Sequence, residues 1–173
     1  MFAWEKNRVI QFPRLKARDL EGRAVELPGD LGGALNLVVL AFHRDHQDPV
    51  ESWLPHFDRL EEGYTGLEVW EVPALPRSYR IWRSAIDGGM RAGIADPKVR
   101  RHTLTTYTDL HGLQRALDLP DLEEIYLLLL DGSGRVLWRA RGAYSGQTLA
   151  ELTEALEKAG AASVPDSASS QHP

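Results

Sequence analysis

Leu35 to Phe57 reads LNLVVLAFHRDHQDPVESWLPHF, and the fold turns on this stretch. Leu35 to Phe42 is an apolar run rich in Leu and Val, bounded by Gly32-Gly33 before it and a charged loop after it. Such a run predicts a strand buried on both faces. The loop leads into a helix start, with Asp48 as N-cap, Pro49 at the first helical position and Glu51 closing a capping box. Beyond it Val50, Trp53, Leu54, Phe57 and Leu60 recur at helical spacing and predict one apolar face. Strand, polar loop and helix in that order is where α/β folds build their sites.

Composition narrows the chemistry. The 173 residues, 43% hydrophobic and 26% charged, suit one soluble domain with a sizeable core. A net charge of −5 argues against a nucleic-acid partner or an anionic membrane surface. No stretch approaches the ~18 apolar residues of a spanning helix and MFAWEKNRVIQF has no leader-like apolar core, so a cytoplasmic protein is expected. There is no cysteine, which removes disulfides, thiolate nucleophiles and cysteine-based zinc sites.

Around the central stretch, a strand is expected at Arg8 to Phe12, a tight turn at Asp19 to Gly22 and a strand at Ala24 to Leu27, together an edge hairpin. Gly63 ends the first helix and Leu67 to Val72 is a second buried strand. Tyr79, Trp82, Arg83, Ile86 and Met90 predict a helix over 78–92. His102 to Tyr107 reads as a strand and Asp109 to Leu119 as a short helix. Ile125 to Leu130 and Val136 to Arg141 flank the hairpin signal Asp131-Gly-Ser-Gly134. A last helix carries Leu149, Leu152, Leu156 and Ala159, and residues 161–173 lack a core face and are expected to be a disordered tail.

The pattern resembles the thioredoxin-like superfamily. A thioredoxin places Cys-Gly-Pro-Cys after a strand ending in an aromatic residue, with a second proline five residues beyond the second cysteine. Here the strand ends at Phe42, Gln47-Asp48-Pro49-Val50 occupies the motif and Pro55 falls at the second proline: both prolines match and both cysteines do not. The resemblance implies an α/β fold with a central mixed sheet flanked by helices, elaborated as in peroxiredoxins, over a single domain 1–160. Val50 to Phe57, Arg101 to Tyr107, Ile125 to Asp131 and Gly134 to Trp138 with Gly142 together look like the assembly factor of mitochondrial ATP synthase, the ATP-ten family, which has bacterial relatives of the same fold.

Without a thiolate the scaffold cannot exchange disulfides or reduce peroxides through cysteine. Where thioredoxins carry a cis-proline this chain has Ile125, and a cis bond before a non-proline residue costs about 3–4 kcal/mol, so that bond is expected to be trans. The reading is a redox-inactive binding or assembly module with a protein partner and no cofactor. Its contact face comprises His43, Asp45, His46, Gln47, Asp48, Pro49 and Ile125. Arg80, Arg83, Arg100, Arg101 and Tyr107 form a second candidate, a basic patch for an acidic partner or a phosphate. The alternative from another class is a metal centre at His43 and His46, since imidazoles and carboxylates suit zinc, copper or iron, although Arg44 opposes a cation there. Weaker candidates are an anion at the amides of residues 48–50 and an acid/base pair drawn from His102, Tyr107, Asp109 and His111.

Overall fold

Alternation along three central strands builds two cores, one on each face of a sheet. The computed structural model describes residues 8–165. In β3 (Leu35–Ala41), Leu35, Leu37 and Val39 enter one core while Val38, Leu40 and the following Phe42 enter the other. β6 (Tyr126–Asp131) repeats this, with Leu127 and Leu129 on the first side and Tyr126, Leu128 and Leu130 on the second. β4 (Leu67–Pro76) does the same with Leu67 and Val69 against Trp70, Val72 and Ala74. Burial on both faces is what a continuous apolar run requires.

With β1 (Leu15–Asp19), β2 (Ala24–Leu27), β5 (Leu104–Thr108) and β7 (Val136–Arg141), these strands form one mixed sheet in the order β2-β1-β5-β4-β3-β6-β7. β3, β4 and β5 run parallel, and β1, β2, β6 and β7 join antiparallel to their neighbours. One face is covered by α1 (Gln47–Gly63) and α5 (Gly146–Lys158), whose Trp53, Phe57, Leu152 and Leu156 meet the sheet. α4 (Leu110–Ala116) packs Leu113 into the other core. Ser145 caps α5, accepting from the Thr148 N–H at 3.1 Å.

Several boundaries differ from the sequence reading. The expected strand at Arg8 to Phe12 is an isolated bridge, Gln11 with Arg135; the first strand of the hairpin is β1, whose alternation is carried by small Ala17 and by Asp19. The Asp19 to Gly22 turn is present, with Gly22 at φ +90° and its N–H on the Asp19 carbonyl at 3.1 Å. β4 runs on past Val72 to Pro76 because β5 receives it where β3 ends beside Pro73. The helix expected over 78–92 is a 3₁₀ segment, Arg77–Trp82, running into α2 (Arg83–Gly93). His102 ends a short α3 (Pro97–His102), capped by Asp96, rather than starting a strand. Residues 161–164 do not leave the fold: Ala162 accepts from the Thr65 N–H and the Val164 N–H reaches the Gly63 carbonyl. The remainder of the expected tail, 166–173, lies outside the described residues.

The start of α1 is also built differently. A 3₁₀ turn at Arg44–His46 feeds directly into the helix, so Gln47 is its first residue, Asp48 its second and Pro49 its third. His46, not Asp48, holds the cap position, and no side chain caps the helix. Carbonyls of the preceding 3₁₀ turn take the His46 and Gln47 N–H groups, His46 to His43 and Gln47 to Arg44, where a capping box was expected. The Glu51 carboxylate accepts instead from Gln47 Nε2 at 2.8 Å. Asp48 keeps only the favourable field of the helix N-terminus, and Leu54 faces solvent.

Candidate functional site

At the carboxyl end of β3, on the side of β6 and β7, the loop after Phe42 meets two other connections. One precedes β6, residues 121–125, and the other follows β7, residues 142–144. His46 joins the first pair. It is 5% exposed; its Nδ1 accepts from the Phe42 N–H at 3.0 Å and its Nε2 lies 3.1 Å from the Glu123 carbonyl. An acceptor Nδ1 leaves the proton on Nε2, so the ring is a neutral imidazole donating to Glu123. Burial holds its pKa below the ordinary imidazole value, outweighing the opposing Glu123 and Asp45 contributions.

α1 is tied to the second connection. Trp53 Nε1 donates to the Gly142 carbonyl at 3.1 Å, the Tyr144 N–H donates to Ser52 Oγ at 2.9 Å, and His56 stacks on Tyr144 with ring centroids 3.8 Å apart. Gly142 sits at φ +91°, a conformation that favours glycine, and its N–H bonds the Ile125 carbonyl. Arg141 ties the two connections, reaching Glu124 at 2.8 Å and Asp121 at 3.2 Å. The Glu123 backbone N–H, ahead of the Arg141 charge, holds the Asp121 carboxyl below its usual range.

Between these walls lies an open cleft of about 510 Å³, lined by His43, Asp45, His46, Pro49, Glu123, Glu124, Ile125, Gly142 and Ala143. Five of the seven predicted contact residues therefore line it. Gln47 and Asp48 do not; they lie on the exposed first turn of α1 beside it. Ile125 was placed there by the thioredoxin resemblance, but Glu123, Glu124, Gly142 and Ala143 were not foreseen, because nothing local in their own sequence marks them as cleft residues. The only cis peptide bond among the described residues precedes Pro28, so the bond before Ile125 is trans, as expected.

Chemically the cleft is a shaped surface with an acidic rim. Asp45 and Glu123 carry no ion-pair partner among the described residues, and Glu124 is neutralised by Arg141. The two-histidine chelate is not formed: His46 spends both ring nitrogens on the backbone, and the His43 and His46 rings meet edge to face with centroids 5.0 Å apart. Among the described residues no three acidic or histidine side chains converge as metal ligands.

The predicted basic patch is largely redistributed. Arg100 is held by Glu21 and by the Ile94 carbonyl, Arg83 lies 4.6 Å over the Tyr107 ring, and the Tyr107 hydroxyl donates to Asp87 at 2.9 Å. Burial and that bond push the Tyr107 pKa well above the ordinary phenol value. Arg80 and Arg101 are exposed. The suggested acid/base pairing does not assemble: Tyr107 is committed to Asp87, and His102 stacks on Trp70 with Nδ1 2.9 Å from the Lys98 carbonyl.

Solved proteins share the overall fold. BsSco, described as a member of the Sco family of cytochrome c oxidase assembly proteins, superposes with a TM-score of 0.61 at 10% identity, covering 88% of this chain and 95% of that one. The fold is thioredoxin-like. A thiol:disulfide interchange protein from Bacteroides sp. gives 0.55 at 17% identity, over 84% of this chain and 87% of the other. The thioredoxin domain of a thiol-disulfide oxidoreductase from Bacteroides vulgatus gives 0.52 at 18% identity, over 83% and 93%. No family model matches the sequence, and no curated protein matches it. At these identities the likeness establishes the thioredoxin-like fold alone. Among the described residues no helix is long and apolar enough to cross a membrane.

Proposed function

We propose that this chain is a redox-inactive thioredoxin-like module that binds a polypeptide segment in the cleft beside α1. The observation that carries the reading is the cleft itself: on a cysteine-free chain, the face between β3, β6 and β7 is kept open and stapled by His46, Trp53 and Arg141. Side-chain bonds spent on holding a concave surface fit binding, and without cysteine no thiolate stands there for disulfide exchange. Free carboxylates at Asp45 and Glu123 favour a segment with positive charge. The resemblance to the ATP-ten assembly factors, and the assembly role in the description of BsSco, support a partner that is a subunit under assembly. A cytoplasmic setting belongs to the same proposal.

The test is a displayed peptide library selected in parallel on the wild-type protein and on the Ala143→Trp variant, whose indole fills the cleft. Peptides enriched in Lys and Arg, held by the wild type and at least tenfold weaker on A143W and on Glu123→Lys, support the reading. Peptides that bind all three alike, or no enrichment, overturn it. His46 is excluded as a contact probe because its bonds to Phe42 and Glu123 make its loss a test of the fold as well.

A further inference from the structure

The stretch Arg77 to Gly93 contributes no buried residue, although it holds Tyr79, Ile81, Trp82, Ile86 and Met90. Its sheet-facing contacts are polar: Asp87 accepts from Tyr107 and Thr105, and Arg83 stacks on Tyr107. With those positions taken, Ile81 is left 82% exposed, Trp82 60% and Tyr79 50%. Three large apolar side chains within four residues form a patch rather than scattered surface hydrophobes. Arg77 and Arg80 interleave with them. Neither has an ion pair among the described residues, and Arg77 meets only the longer-range field of Asp109.

We infer that Tyr79, Ile81 and Trp82, flanked by Arg77 and Arg80, form a second docking surface whose occupant is an acidic amphipathic protein segment. Charge complementarity selects the sign of that partner, since an uncompensated arginine pair on an otherwise acidic molecule draws carboxylates. Residue type separates a protein from a lipid surface. Residues 77–97 hold four arginines and no lysine. Protein interfaces enrich Arg, Trp, Tyr and Met and deplete Lys, whereas anionic lipid attracts either cation alike. The surface lies beyond the end of β4, on elements that do not line the cleft, and it is independent of the cleft reading.

The experiment uses the full chain with fluorescein-labelled helical peptides that carry Leu and Phe at helical spacing and Glu, Gln or Lys at the remaining positions. Vesicles containing phosphatidylserine are the competing target. The Glu peptide is expected to bind, to lose at least tenfold on Gln substitution and to weaken as salt rises. Trp82→Ala and Arg80→Glu are each expected to lose tenfold or more, with melting temperatures unchanged because both side chains are exposed. A143W is expected to leave this binding intact, which separates it from the cleft. No binding of the Glu peptide, equal binding of the three peptides, or insensitivity to W82A overturns the inference. So does vesicle binding that W82A removes, or a concentration-dependent dimer that W82A dissolves.

Discussion

Replacing His46 by alanine is the sharpest test of how the cleft is held. The imidazole satisfies the buried Phe42 N–H and the partly buried Glu123 carbonyl. The carbonyl can turn to water, so its bond is worth about 1 kcal/mol, while a buried N–H left without an acceptor costs about 1–3 kcal/mol. The sum, about 2–4 kcal/mol, corresponds to a fall of roughly 5–15 °C in Tm for a domain of this size. The loss carries a pH signature. Because burial lowers the His46 pKa in the folded state, the neutral ring stabilises the fold fully above the unfolded value near 6.5, and that contribution is lost as pH falls through the lowered folded value. His43, Asp45 and Glu123 face the ring, and the two carboxylates soften the shift without reversing it. Thermal melts of wild type and H46A by circular dichroism, from pH 8 to pH 5, should therefore converge as the pH drops. His46→Asn, which can offer an acceptor to Phe42 but no titrating group, should lie between them with a flatter profile. A gap below 2 °C at pH 8, or a gap that does not change with pH, refutes the assignment of His46 as a neutral staple.

Other sites give equally direct readouts. Glu71 on β4 lies on the face covered by α1; burial, then Glu51, raises its pKa, so the fold favours its protonated form. That contribution is present below the unfolded carboxyl value and is lost as pH rises through the folded one, so Glu71→Gln should raise Tm at pH 7 and give no gain near pH 4. Asn36, 2% exposed, accepts from Trp70 Nε1 and the Gly33 N–H and donates to the Gly33 carbonyl. Asn36→Leu should cost about 2–4 kcal/mol in urea unfolding, because the Trp70 and Gly33 donors lose their acceptor. Because His46 has no free ring nitrogen, zinc should leave the melting temperature within about 1 °C; a saturable rise lost in His43→Ala would restore the metal reading.

Much of this fold can be read residue by residue, and the reasons it stops are physical. β3 and β6 are legible because runs of Leu and Val buried on both faces have few other outcomes, and Asp131 to Gly134 because only a tight turn uses that pattern; Gly134 indeed sits at φ +83°. β1 escapes because Lys16 and Arg18 face solvent while its inward positions include only small Ala17 between Leu15 and a buried aspartate. The spacing of Tyr79 and Trp82 predicted a helix but not that both side chains would stay exposed; a polar cluster on Asp87 takes the contacts with the sheet. The β3 side of the cleft was legible from the strand-loop-helix order. Of its opposite wall only Ile125 was legible, through the position where thioredoxins carry a cis-proline; Glu123 and Gly142 reach it only through the sheet.

That wall has a consequence for synthesis. The His46 bond to Glu123 spans 77 residues and the Trp53 bond to Gly142 spans 89. Long-range closures of this kind form after local structure, once the intervening strands have paired. A chain still emerging from the ribosome therefore carries the Phe42 loop long before it carries a cleft. The cleft is complete only when residue 143 is out and β6 and β7 have paired, and no fragment ending at β4 or β5 contains both of its walls.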